Sequence, residues 1–127
     1  MRIRLAFLGL LAGLAGLTLS APAQAESLGW HLRNACDLMP AVSEGKTLSP
    51  EEFGYANECL GYFEALIESQ AYLNDHGRKP IFCYPPNVSA YESGVAFVDW
   101  VNAQPVLLNG KAVNAALTYM AQRHPCK

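Results

Sequence analysis

The chain has 127 residues, 51% hydrophobic and 16% charged, with nine Lys and Arg against eleven Asp and Glu and a formal net charge of −2. That length accommodates one small domain whose core alone leaves a thin stability margin. The acidic balance argues against nucleic acid and anionic membrane as partners, since both require clustered Lys and Arg to displace counterions.

The first 25 residues read as a cleaved signal peptide. Arg2 and Arg4 make a positive start, Leu5 to Leu19 is an apolar run without a charge, and Ala23-Gln24-Ala25 is a small-residue cleavage pattern. The apolar run is about 15 residues, short of the roughly 20 that cross a bilayer. No later segment approaches that length, so the chain is expected to be free of the membrane once the leader is removed. Residues 26–127 then form one domain with seven basic and eleven acidic residues, a formal charge of −4.

The domain reads as helical throughout. Leu28 to Val42 forms a first segment in which Leu28, Leu32, Ala35 and Met39 recur at three- and four-residue steps, with Pro40 threatening its last turn. Ser49, Pro50 and Glu52 form a capping box with proline in the first helical position, and a long helix is expected from Pro50 to Asp75. Its apolar face is Phe53, Ala56, Leu60, Phe63, Ile67 and Ala71. Gly54 and Gly61 each weaken it by roughly 1 kcal/mol, which a close approach of another backbone would explain.

Gly77 and Pro80 end the helix, and Phe82 to Pro86 is an extended connection because proline disfavours helix in the residue before it. Ser89 and Glu92 repeat the capping box, so Ser89 reads as a cap and not as the acceptor of an Asn87-Val88-Ser89 glycosylation site. Tyr91, Val95, Val98 and Val101 trace the inner face of a third helix that stops before Pro105. Asn109 is placed to cap a fourth, carrying Val113, Ala116, Leu117 and Met120. Nothing alternates as a strand. The expected fold class is all-α, a small bundle of about four helices stapled by two disulfides.

Cys36, Cys59, Cys83 and Cys126 all lie downstream of the export signal. In an oxidising compartment four cysteines predict two disulfides, and sequence alone permits three pairings. Zinc is disfavoured, since no CxxC occurs and His31, His76 and His124 are scattered. If the first two helices form an antiparallel hairpin turning near Lys46, Cys36 lies about ten residues before the turn and Cys59 about thirteen after it, roughly level along the axes. That pairs Cys36 with Cys59 and leaves Cys83 to Cys126.

The order Cys59-Leu60-Gly61-Tyr62, Phe82-Cys83-Tyr84-Pro85, Val88-Ser89, Ala115-Ala116-Leu117 and Pro125-Cys126 resembles the Rap/Tai-type immunity proteins of the type VI secretion system. The resemblance spans about Cys59 to Cys126. It implies a periplasmic protein that neutralises a secreted effector protein, often a peptidoglycan-cleaving enzyme, by occlusion, with no cofactor and with a homodimer as a possible state. The reading from another class is a general periplasmic helical module with a chaperone-like or stress-protective role.

The residues themselves favour a binding protein over an enzyme. Paired disulfides leave no thiol nucleophile. Glu64 and Glu68, one turn apart, could act as acid and base on a glycan, yet periodicity puts them on the solvated face opposite Phe63 and Ile67. Asp75, His76 and Arg78 form a loop cluster able to contact a partner. They also suit a helix end, where Gly77 and the basic groups complement the exposed carbonyls. Val106, Leu107 and Leu108 lie in an expected loop, either as an exposed apolar patch for a partner or folded back as a seal over the helix ends. Tyr55, Tyr62, Tyr72, Tyr91, Trp100 and Tyr119 could line a pocket, though at helical spacing they fit core and boundary packing.

Overall fold

In the computed structural model, which describes residues 27–127, Pro40 decides how the chain opens. The expected first helix is divided into α1 (Gly29–Asp37) and α2 (Met39–Ser43) at Leu38. Pro40 has no N–H to give to Cys36, four residues back, and its ring crowds that carbonyl. The signal peptide expected over residues 1–25 lies outside the described residues.

The long helix α3 (Pro50–Asp75) starts and ends where the sequence placed it. Ser49 Oγ accepts from the Glu52 amide and the Glu52 carboxylate accepts from the Ser49 amide at 2.8 Å. At the other end Arg78 N–H donates to Leu73 O and Gly77 N–H to Asn74 O, with Gly77 at φ 65°, a Schellman closure that a glycine enters at no steric cost. The second capping box starts α4 (Ala90–Asn102) at Ser89.

Two expectations fail downstream. Residues 105–108 form a short helix, α5 (Pro105–Leu108), because Pro105 suits a first turn and Gln104 O accepts the amides of Leu107 and Leu108. Asn109 therefore ends α5, its side-chain amide donating to Pro105 O at 3.0 Å, and does not cap α6 (Ala112–Arg123). The start of α6 is held by backbone instead: Ala112 N–H donates to Ser27 O and Gly29 N–H to Gly110 O, both at 2.8 Å, around an isolated antiparallel bridge between Leu28 and Lys111. Among the described residues there are six helices and no strand. The all-α fold is as expected, with extra elements from the break at Leu38 and the turn at Pro105.

Both disulfides pair as read from the sequence, Cys36 with Cys59 and Cys83 with Cys126. The hairpin behind that reading survives for α2, since Met39 shares a hollow with Ala56, and Val42 shares one with Phe53. α1 departs from it. His31 meets Glu58 while Cys36, about 7.5 Å further along α1, meets the adjacent Cys59, so the two axes cross.

The core forms around this crossing. Leu32, Ala35, Cys36 and Met39 are buried against Ala56, Cys59 and Phe63 of α3, Phe97 and Val101 of α4, and Ala112, Ala115, Ala116 and Met120 of α6. Phe63, Phe97 and Tyr119 meet edge to face at 5.5–6.2 Å, a geometry that adds to area burial. Burial raises the Tyr119 phenol pKa above its ordinary value. Phe53 and Ala71, expected on the inner face of α3, are exposed, and so is Val113 of α6. The buried face of α3 runs through Ala56, Cys59, Phe63 and Gln70.

The glycines with a packing role are not those expected. Nothing lies within 4 Å of a Cβ built at Gly54 or Gly61. A Cβ at Gly94 would meet Cys59 Sγ at 2.8 Å and Met39 Sδ at 2.9 Å, and one at Gly29 would collide with the Leu107 carbonyl oxygen. Gly29→Ala and Gly94→Ala are therefore expected to cost about 1–3 kcal/mol each, with Gly29→Ala the worse because backbone must move. Gly61→Ala is expected to stabilise by about 0.5–1 kcal/mol. Urea unfolding at unchanged m-value measures all three.

The capping boxes give a pH dependence. Hydrogen bonds from the Ser49 and Ser89 backbone, then their side chains, hold the Glu52 and Glu92 carboxyls below the ordinary value. Depressed in the folded state, these pKa values make a contribution that is present above the unfolded value and lost as pH falls through the folded one. A Glu52→Gln, Glu92→Gln double variant should be less stable than wild type at neutral pH, with the gap narrowing between about pH 5 and pH 3, as followed by thermal unfolding across that range.

Candidate functional site

The cluster at Asp75, His76 and Arg78 closes the C-terminal end of α3. The His76 ring stacks on Tyr72 with centroids 4.0 Å apart, and its Nδ1 lies 2.8 Å from Tyr72 O, so it acts first as part of the helix ending. Asp75 lines a hollow of about 390 Å³ with Ile67, Gln70, Asn74, Phe82 and Tyr84, formed where residues 80–86 run back along α3. The helix end is satisfied by its own backbone, while Asp75, Arg78 and the adjacent Tyr72 and Ile81 remain exposed.

The returning strap is held by Gln70. This side chain is 6% exposed, its Oε1 accepts from Ile81 N–H at 2.6 Å, and its Nε2 donates to Ser69 Oγ at 3.2 Å. Phe82 is buried behind it, and Cys83 carries the second disulfide to Cys126 while its amide donates to His124 O at 2.9 Å. Tyr84 lies edge to face with His124 at 5.1 Å, and its hydroxyl is 2.9 Å from Oγ of the buried Ser93. Burial, and secondarily Arg123, lowers the His124 pKa, and burial raises that of Tyr84.

Val106, Leu107 and Leu108 differ in exposure. Leu107 and Leu108 pack on the core as a seal, while Val106 is 85% exposed at the tip of α5. α5 packs on α1, α4 and α6, so this patch and the Asp75–Arg78 loop stand on different elements.

Glu64 and Glu68 are exposed on α3 beside Ile67, Tyr84, Val88 and Ala90. Among the described residues no three His, Cys, Asp or Glu side chains gather as a possible metal site, and no helix is long and apolar enough to cross a membrane. His31 Nε2 on α1 lies 3.3 Å from Glu58 Oε2 on α3.

One surface pairs Tyr55, already a pocket candidate in the sequence, with Trp30, which was not. Trp30 and Tyr55 are both exposed and both set against His31, lining a hollow of about 380 Å³ with Asn34, Ala35 and Leu38. The signal was there in Trp30, a large aromatic off the Leu32, Ala35, Met39 stripe and therefore turned away from the core.

Removing Gln70 should loosen the strap with little effect on the rest of the domain. In Gln70→Ala the Ile81 amide loses its acceptor at a part-buried site, a cost of about 0.5–1.5 kcal/mol. Amide exchange at Ile81 and Phe82 should accelerate by much more than at Phe63 or Phe97.

Compared with known proteins, the chain matches the family model described as Rap1a immunity proteins over residues 29–126, a span that includes all six helices and both disulfides. No curated protein and no solved structure gives a significant match.

Proposed function

Because the chain belongs to the Rap1a immunity protein family, we propose that it is an exported periplasmic protein that binds and neutralises an effector delivered by a type VI secretion system, with a cell-wall-degrading enzyme as the class of target. The observation that carries this reading is the family match across nearly every described residue. Both disulfides support the compartment, because such bonds persist in oxidising surroundings.

Neutralisation proceeds by covering the effector, without chemistry on it. The proposed contacts are Asp75, His76 and Arg78 at the end of α3, and Val106 at the tip of α5 with Leu107 and Leu108 beneath it. An exposed valine on a rigid turn anchors a partner at little entropic cost, because β-branched side chains have few rotamers to lose. A homodimer is the proposed resting state, to be read by sedimentation of the oxidised protein.

The mature, oxidised protein, immobilised and exposed to the secreted proteins of the producing cells, should retain one enzyme in stoichiometric amount through a high-salt wash. A broad mixture of unfolded clients would favour the chaperone-like reading instead. Against the captured enzyme, Val106→Asp and Arg78→Glu should each weaken binding about tenfold or more, the scale of losing one well-packed interface contact. Glu64→Gln and Glu68→Gln should leave neutralisation unchanged, and any loss of an intrinsic hydrolytic activity in those variants would overturn the non-enzymatic reading.

A further inference from the structure

We propose that the hollow between Trp30, His31 and Tyr55 receives a single cationic side chain, a guanidinium or ammonium group, presented by the partner protein. The identity of that partner rests on the immunity reading; the chemistry of the hollow does not.

Three observations point the same way. Trp30 is 47% exposed and Tyr55 37%, and each ring stands nearly perpendicular to His31, at interplanar angles of 77° and 84° and centroid distances of 5.9 and 5.5 Å. Ring faces of this kind attract cations through their quadrupoles, Trp most strongly. Carboxylates contact two of the lining side chains: Glu58 lies 3.2 Å from His31 Nε2, and Glu51 accepts the Tyr55 hydroxyl at 3.3 Å. A phenol donating to a carboxylate is polarised so that its ring becomes more electron-rich, which strengthens its pull on a cation.

The third observation is the field around the hollow. Near Tyr55, α3 carries Glu51, Glu52 and Glu58, and no lysine or arginine occurs in its 26 residues. The basic residue of α1, Arg33, is engaged by Asp37 at 3.2 Å and by Asn102 at 3.0 Å. A cation approaching the hollow therefore meets attraction from α3 and little opposition from α1. An anionic or phosphate-bearing group would meet the reverse. The surface is distinct from the Asp75–Arg78 loop, since Tyr55 and Asp75 are twenty residues, about 30 Å, apart along α3.

The test uses the full mature protein and two blocked amino acids that differ only in charge, N-acetyl-arginine amide and N-acetyl-citrulline amide. Titrating each while following backbone and Trp30 indole resonances should show saturable shifts confined to Trp30, His31, Tyr55 and Glu58 with arginine, with a Kd on the order of millimolar. Citrulline should bind at least tenfold more weakly. Glu58→Gln and Tyr55→Leu should each weaken arginine binding several-fold at an unchanged unfolding midpoint, and 0.5 M salt should weaken it in wild type. Equal binding of citrulline, or no localised shift with either ligand, would overturn the proposal. Once an effector is captured, unchanged affinity in Tyr55→Leu would remove the hollow from the interface while leaving the immunity reading standing. Failure of wild type to capture any effector would sink that reading instead.

Discussion

The bond between Cys36 and Cys59 fixes the point through which the bundle is organised. It joins α1 to α3 where they cross, and α4 lies against the same sulfur because Gly94 presents no side chain there. A three-way approach this close leaves no volume for repacking. The size of a residue as small as Gly94 therefore matters as much as that of Phe63 or Phe97. Around the crossing, small residues repeat the same solution: Ala35 on α1 and Ala112, Ala115 and Ala116 on α6 are all buried. They let helices come together on backbone, while Phe63, Phe97 and Tyr119 fill the wider space between.

The second disulfide does different work. It fastens an irregular segment, residues 80–86, which has no ladder of its own and is otherwise held by Gln70 and by the burial of Phe82. A small domain has too little apolar surface to order such a strap by burial alone, and a covalent tie reduces the freedom it has when unfolded. The two bonds thus divide the task. One sets the packing of the helices, and the other holds the surface that borders the exposed Asp75–Arg78 loop.

Much of the fold was legible because its signals are local. Both capping boxes and the Schellman end at Gly77 depend on neighbours within a few residues, and each occurs where the sequence places it. What was not legible depends on tertiary arrangement. Phe53 falls on the periodic stripe of α3, yet at that first turn it borders only an open hollow with Val42 and Leu48, so it stays half exposed. Gly54 and Gly61 invited a backbone contact that occurs instead at Gly29 and Gly94, whose need for glycine comes from helices distant in sequence. The disulfide pairing came out right because α2 keeps the hairpin register on which it was reasoned, although Pro40 swings α1 across α3. Of the candidate surfaces, Val106 was visible as an apolar residue between Pro105 and Asn109. The Trp30 hollow was not, since it assembles a side chain of α1 with one of α3 only at the crossing.

The bridge between Leu28 and Lys111 ties the start of the described chain to the start of its last helix. A polypeptide made from its N-terminus presents α1 first and α6 last, so α1 emerges with its buried face uncovered. The α6 side of the packing around Leu32, Ala35 and Met39 must wait until some eighty residues have followed, a separation whose closure is entropically slow. Cys36 can meet Cys59 well before then, from a separation of only 23 residues. The early covalent loop would shelter part of that apolar stripe until α6 arrives.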